Sequence, residues 1–315
     1  MRTISVVAPM YNEEATIHAY CEEMLKVASE LSDKYRFEII LVNDGSKDNT
    51  YALMLQEHEA HPDSIATVCL TRNYGLEGAV SAGLRSATGD AVVVMDADLQ
   101  DPPPLVKEMI EKWEKGADVV IGSRIKRSND GFFKKLGAGA YYKVMDSLSG
   151  KVKLEKSAAN FRLLSRKACD VLLSLPEVNS VFRVEVPFIG MKTDVVEYDR
   201  DRRYAGKTKY NLKSMIPYAL DSISGISVEP LRKIAFLQLV PLLLFIGSII
   251  GMIASDDYWS SAWMTLFFIS VLVEILLIAL CVMAEYIAQI MIEVKGRPTS
   301  IIYEYKPCSN SELKK

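Results

Sequence analysis

The chain has 315 residues, half of them hydrophobic, enough for one or two domains around a sizeable core. Its 37 basic and 40 acidic residues leave a formal charge of −3, without the basic footprint that a nucleic-acid partner calls for. Five scattered cysteines (Cys21, Cys69, Cys169, Cys281, Cys308) form no CxxC pair, which disfavours a zinc site or disulfide framework and fits a reducing compartment.

No signal-peptide pattern precedes the first strand, "TISVVAP". Up to about residue 125 one pattern repeats. The short β-branched runs "ISVVAP", "FEIILVN", "ATVCL", "AVVVMD" and "DVVIG" alternate with helical stretches. The helices are "EEATIHAYCEEMLKVASEL", "NTYALMLQEHEA", "EGAVSAGLRSA" and "PPLVKEMIEKWEKG". Near-continuous apolar strands separated by helices predict an α/β fold, a mostly parallel sheet covered on both faces. Ligands of such sheets bind beyond the carboxyl ends of the strands. Polar residues gather at those ends here: "MYNEE", "NDGSKDNT", "TRNYG", "DADLQDPP" and "GSR". Glu14 reads as first-turn helix chemistry and Asp48, Asn49 and Thr50 as caps.

In "VVVMDADLQDPPP" the apolar run ends in Asp96, Asp98 and Asp101. Asp96 and Asp98, two apart on extended backbone, point the same way, and two carboxylates in one small volume repel. Mg²⁺ or Mn²⁺ removes that conflict, binding through one or two carboxylates plus substrate phosphates. The plain alternative is a pair of solvated turn acids ahead of the next helix. Asp44 ends another strand, where a carboxylate suits a hydrogen-bonding base or ribose better than a phosphate.

Past residue 200 the character changes. Residues 234–254 are 21 positions without a charge, and a helix of that length reaches roughly 30 Å, a bilayer core. A second stretch, about 258–284, is broken only by Glu274, which is expected to face another helix or subunit and so allows a homo-oligomer. Arg232 and Lys233 before the pair, and Lys295 and Arg297 after it, place both ends in the cytoplasm. The alternative is a buried helical hairpin in a soluble core. The preceding segment, "KYNLKSMIPYALDSISGISVEPLRK", has the apolar and basic mix of a helix lying among lipid headgroups. The expected division is a catalytic part over 1–210, interfacial helices over 211–232, two transmembrane helices over 233–286 and a cytoplasmic tail over 287–315.

The ordered set "SVVAPMYNEE", "LVNDGSKDNT", "TRNYG", "AVVVMDADLQDPP", "VIGSR", "NFRLLSR" and "RRYAGKTKY" resembles family 2 glycosyltransferases of the GT-A fold, a Rossmann-like sheet. The nearest likeness is the polyprenyl-phosphate group, and "EYIAQIMIEVKGRP" resembles its bactoprenol branch. The resemblance implies a nucleotide-sugar donor, a polyprenyl phosphate acceptor, a divalent cation and a multi-pass protein of the cell membrane. Asp96, Asp98 and Gln100 would surround metal and diphosphate, with Asp98 central to catalysis. Asp44 would meet the base; Pro9, Tyr11 and Glu13 would line the nucleotide pocket. Arg200, Arg203, Lys207 and Lys209 would close on phosphates, or else meet anionic lipid. Arg162 and Arg183 are candidates for the acceptor phosphate, and Arg124 either reaches the site or makes a structural ion pair.

Three positions depart from the family pattern: Asn160 stands where an acid is usual before "FRL", "GLEG" replaces the usual "GK", and Glu185 stands where Gly is common. The loss of an acid at 160 is tolerable for this acceptor. A phosphate monoester has a second pKa near 6, so its nucleophilic oxygen is already ionised at neutral pH and requires no base. Asn160 is then expected to orient acceptor or sugar. The rival readings are a saccharide-elongating relative, for which Q-x-x-R-W is missing, and a non-catalytic membrane scaffold that kept the fold. A dinucleotide enzyme is disfavoured because no G-x-G-x-x-G follows the first strand.

Overall fold

The computed structural model describes residues 1–124, 158–176, 181–199 and 258–309. Its centre is the expected parallel sheet. β1 (Arg2–Met10), β2 (Tyr35–Asn43), β3 (Ile65–Leu70) and β4 (Ala91–Val94) lie in the order β3-β2-β1-β4. They are joined by α1 (Ile17–Glu30), α2 (Thr50–Ala60) and α3 (Gly75–Ser86); α4 (Leu105–Glu114) leads on to β5 (Val119–Arg124).

The strands alternate their side chains between two cores because both faces are covered. Ile4, Val6, Ile39, Leu41, Val93 and Val120 pack toward α1 and α4 through Tyr20, Met24, Met109 and Ile110. Val7, Ile40, Val42, Val92 and Val94 pack on the other face against Ala79, Val80 and Ala82 of α3. The small residues of "EGAVSAGLRS" let α3 lie close: a Cβ on Gly83 would sit 2.2 Å from Val7 Cγ1.

Beyond β4 the sheet departs from a simple alternation. β6 (Ala158–Ser165) inserts antiparallel between β4 and β5, and β7 (Thr193–Tyr198) runs parallel to β5 on the far edge. α5 (Arg166–Leu173) and α6 (Phe182–Phe188) cover the α3 face. Ser165 caps α5, its Oγ accepting the Ala168 N–H at 3.1 Å.

α7 (Tyr258–Lys295) is one 38-residue helix, roughly 57 Å long at 1.5 Å per residue. Its span Phe267–Lys295 is long and apolar enough to cross a bilayer, an 18-residue stretch of it having a mean hydropathy of 2.8. Phe267, Leu276 and Ile290 are 63, 59 and 61% exposed, a surface that water disfavours. The helix continues past residue 286, where the sequence suggested a tail. The first apolar stretch, 234–254, and the interfacial segment lie outside the described residues.

After α7 the chain returns to the sheet. β8 (Ile302–Lys306) pairs antiparallel with β3 and closes the edge of an eight-stranded sheet ordered β7-β5-β6-β4-β1-β2-β3-β8. The Thr71 N–H bonds the Ile301 carbonyl at 3.0 Å, Ser309 bonds Pro62 at 2.9 Å, and the Tyr51 hydroxyl bonds Glu304. The end of the apolar helix is thereby strapped to the β3 edge of the sheet.

Candidate active site

The carboxyl ends of β1, β2 and β4 stand side by side, so the loops after them share one rim. β1 pairs Met10 with Asn43, the Asp44 N–H bonds the Met10 carbonyl at 2.9 Å, and the Met95 N–H bonds Val7 at 3.1 Å. Pro9 is half-buried at the end of β1, with Tyr11 and Glu13 just beyond it.

The first two loops are tied to each other. Asn12, at φ 52°, accepts the Lys47 N–H on Oδ1 at 2.8 Å and donates its own N–H to Ser46 Oγ at 3.0 Å. The Glu13 N–H donates to Thr50 Oγ1 at 2.8 Å, and the Glu13 carboxylate accepts from Thr16 at 3.2 Å. Glu14 has a different place from the one expected. α1 begins only at Ile17, and Glu14 instead accepts the Asn49 N–H at 3.1 Å, serving the start of α2. Of the three expected caps, Asp48 accepts the Thr50 N–H at 3.0 Å, whereas Asn49, at the N-cap position of α2, makes no side-chain cap bond.

Asp44 is 4% exposed and lies against the start of α3, where its two oxygens accept the N–H groups of Tyr74 at 2.6 Å and Gly75 at 2.9 Å. Gly45 makes this approach possible. Its φ is +63°, and a Cβ there would lie 2.5 Å from the Arg72 carbonyl carbon. Burial pushes the Asp44 carboxyl up to about 6, against the lowering effect of the two N–H bonds. The residue assigned by resemblance to the nucleotide therefore also joins two loops of its pocket.

The loop after β4 carries Asp96, Asp98 and Gln100. Asp98 is buried, and its Oδ1 accepts the Gln100 N–H at 3.1 Å. Between them Leu99 holds φ 55°, a left-handed conformation that a branched apolar residue rarely adopts. That backbone turn brings Gln100 back against Asp98. Asp101 departs from its neighbours. Fully buried, it accepts the Tyr198 hydroxyl at 2.5 Å and Arg124 Nη2 at 3.2 Å. The structure thus realises the ion-pair alternative for Arg124, which also reaches the Tyr198 hydroxyl at 3.4 Å. Burial, then the Asp101 charge, raises the Tyr198 phenol, so it stays protonated and donates. Tyr198 escaped the sequence reading because its partner is 97 residues away.

β6 brings the acceptor candidates to the same rim. Its register pairs Arg162 with Val94 and runs on from there toward Asn160 and Asp96. Arg162 is 1% exposed, and its guanidinium donates to the carbonyls of Phe182 at 3.3 Å and Arg183 at 3.2 Å. Arg183 donates to Asn160 Oδ1 at 3.3 Å, and its Nε is buried without a hydrogen-bond partner among the described residues. Glu77, from the unusual "GLEG", accepts the Phe182 N–H at 2.9 Å. Arg200, Arg203, Lys207 and Lys209 lie outside the described residues.

Residues 5–185 match the family model for glycosyl transferase family 2. The chain belongs to that family. Among its relatives is YkcC of Bacillus subtilis (strain 168), described as an uncharacterised glycosyltransferase. It is 36% identical over 313 residues, covering 98% of this chain and 96% of YkcC. The SfII prophage-derived bactoprenol glucosyl transferase of Shigella flexneri is 38% identical over 315 residues, covering 95% of this chain and 97% of the relative. A solved structure, glucosyl-3-phosphoglycerate synthase from Mycobacterium tuberculosis with Mn²⁺, UDP and phosphoglyceric acid, is 24% identical. It covers 71% of this chain and 76% of that one, at a TM-score of 0.48. The resemblance and the GT-A architecture read from the sequence are borne out: a mostly parallel family 2 sheet with helices on both faces.

Proposed function

We propose that this family 2 member is a membrane-anchored, inverting glycosyltransferase. It moves a hexose or N-acetylhexosamine from a UDP- or GDP-linked donor to polyprenyl phosphate at the cytoplasmic face of the cell membrane. The observation that carries the reading is the match to a bactoprenol glucosyl transferase over 95% of the chain, apolar α7 included. The acids and arginines at one rim give it a chemistry.

The donor set of Asp96, Asp98 and Gln100 offers oxygen only, which fits Mg²⁺ or Mn²⁺. Among the described residues no group of three or more His, Cys, Asp or Glu gathers as a ready-made cage, so a diphosphate is left to supply further oxygens. Once bound, such an ion supplies charge stabilisation to the departing diphosphate. The chain's own residues do the remainder. Asp44, fixed by Tyr74 and Gly75, meets the base with Pro9, Tyr11 and Glu13 around it. Arg183, held by Asn160, faces the acceptor phosphate, and Arg162 fixes the helix that carries it. A phosphate oxygen bonds to the anomeric carbon as the bond from that carbon to the diphosphate breaks. Entry opposite the leaving group inverts the centre. No base is required, so Asn160 serves as an orienting group. α7, in the bilayer, keeps this rim at lipid depth. Arg200, Arg203, Lys207 and Lys209 remain assigned to phosphate closure by resemblance.

The test is to incubate the full chain in detergent with a panel of nucleotide-sugars, Mg²⁺ or Mn²⁺ and a short polyprenyl phosphate, and to weigh the lipid product. A glycosyl-phospholipid that disappears with Asp98→Ala supports the reading. Nucleotide-sugar binding without turnover would favour the scaffold, and transfer to a saccharide in the absence of lipid would favour the elongating enzyme.

A further inference from the structure

Where α3 and α6 converge, Glu77, Arg85 and Glu185 line a slot that the donor chemistry does not use, and Arg162 and Arg183 lie next to it through Phe182. Glu77 on α3 holds the Phe182 N–H, and its carboxyl feels the charges of Arg183 and Arg162 as well as that of Glu185. Arg162 of β6 donates to the backbone at Phe182 and Arg183, and Arg183 reaches Asn160. Arg85 of α3 lines the slot from its own helix; α5 contributes only leucines to the lining, Leu172, Leu173 and Leu175 among them, the last just past its end. Glu77 and the three charges that act on it, Glu185, Arg162 and Arg183, balance to zero, with Arg85 counted apart, so these four offer no surplus charge to an incoming dianion. It does offer a donor: the buried Nε of Arg183 has no partner among the described residues.

We propose that Glu77 is a positioning residue for the acceptor phosphate, acting as counter-charge to Arg183 in the empty site and taking up one proton from solvent when the phosphate arrives beside that guanidinium. This rests on the reading of a lipid phosphate as acceptor. The ionised carboxylate offsets the charge of Arg183 and holds the first turn of α6 through the Phe182 N–H. The phosphate then supplies the negative charge, Glu77 becomes neutral, and the cluster gains the net positive charge that the dianion requires. Whether neutral or ionised, the side chain keeps an oxygen for the Phe182 N–H, so the helix stays put through the exchange.

Burial already pushes Glu77 up to about 7, against the lowering influence of the Phe182 N–H and the arginines, so the proton is available in the working range. A phosphate alongside raises it further, and linkage fixes the sign: acceptor affinity falls as pH rises past 7. The acceptor's own second ionisation, near 6, is complete by then.

The experiment is acceptor binding and kinetics with farnesyl phosphate and the full chain in detergent. For the wild type, acceptor KM should rise roughly tenfold between pH 7 and 8.5 while donor KM stays level. Glu77→Gln keeps an oxygen for the Phe182 N–H, and its acceptor KM should be flat over the same range and below wild type at pH 8.5. Calorimetry of the wild type in two buffers of different ionisation enthalpy should show close to half a proton taken up or more at pH 7 to 7.5. Uptake of no proton overturns the proposal even if the variant does not fold, and so does an unchanged alkaline rise in Glu77→Gln. Binding without proton uptake leaves the lipid-phosphate reading standing; no binding at all sinks both.

Discussion

The half proposed to bind the donor, β1 to β4 with α1 to α3, and the half proposed to bind the acceptor, β5 to β7 with α5 and α6, fix charged groups by opposite means. In the donor half a carboxylate is held by backbone N–H groups: Asp44 by Tyr74 and Gly75, at the N-terminus of a helix. In the acceptor half a guanidinium is held by backbone carbonyls: Arg162 by Phe182 and Arg183. A parallel sheet with helical crossovers points helix N-termini at its carboxyl rim, which suits acids and phosphates there. The antiparallel β6 interrupts that arrangement and brings one buried cation, Arg162, up to the same rim. One sheet thereby carries an acid-lined side and an arginine-lined side at one rim, which the proposed reaction assigns to two phosphorylated substrates.

The comparison can be broken at several points. The largest effect is expected from Asp98→Ala, which should lower turnover by about 10³-fold or more while far-UV dichroism is unchanged, since the proposed reaction places this carboxylate at the reacting diphosphate. Arg162→Met should next cost about 3 kcal/mol in denaturant unfolding, because two buried carbonyls lose their donor. A loss under 1 kcal/mol would deny Arg162 its structural place. Gly45→Ala combines a left-handed backbone with a 2.5 Å contact, and should raise donor KM about tenfold with acceptor KM unchanged.

A pH experiment sharpens the same contrast. The folded Asp44 carboxyl stands at about 6, above its ordinary 3.8, so the folded state binds more protons than the unfolded chain between those values. Its contribution to stability is full below 3.8 and is lost as pH rises through about 6. Relative to Asp44→Asn, wild type should therefore lose up to about 3 kcal/mol across that window, by urea unfolding at pH 4 and pH 7. The smallest effect is assigned to the exposed His18–Glu57 pair at 2.9 Å: His18→Ala should leave the melting temperature unchanged within error.

The donor half was legible because its strands are unbroken β-branched runs and its loops carry the polar residues. Even so, Asp101 reads in sequence like Asp96 and Asp98. Only its burial against Tyr198 and Arg124 separates a structural acid from the two neighbouring candidates. β6 was visible as a motif, "NFRLLSR", but not as a strand in the sheet, because buried Asn160 and Arg162 interrupt its apolar pattern. β8 escaped because five residues alternating with tyrosines, after a membrane-like helix, look like a tail until β3 offers an edge.

By itself the sequence determined the class of fold, the rim on which chemistry gathers, the acids of the β4 loop and the apolar character of α7. Each follows from local order along the chain, either periodicity or residues a few positions apart. Tertiary structure decided which acid is a strut, where the arginines point, and that Glu77 meets Phe182 across 105 residues. Such pairings depend on desolvation and on strand order, and neither quantity exists until the sheet has closed over them.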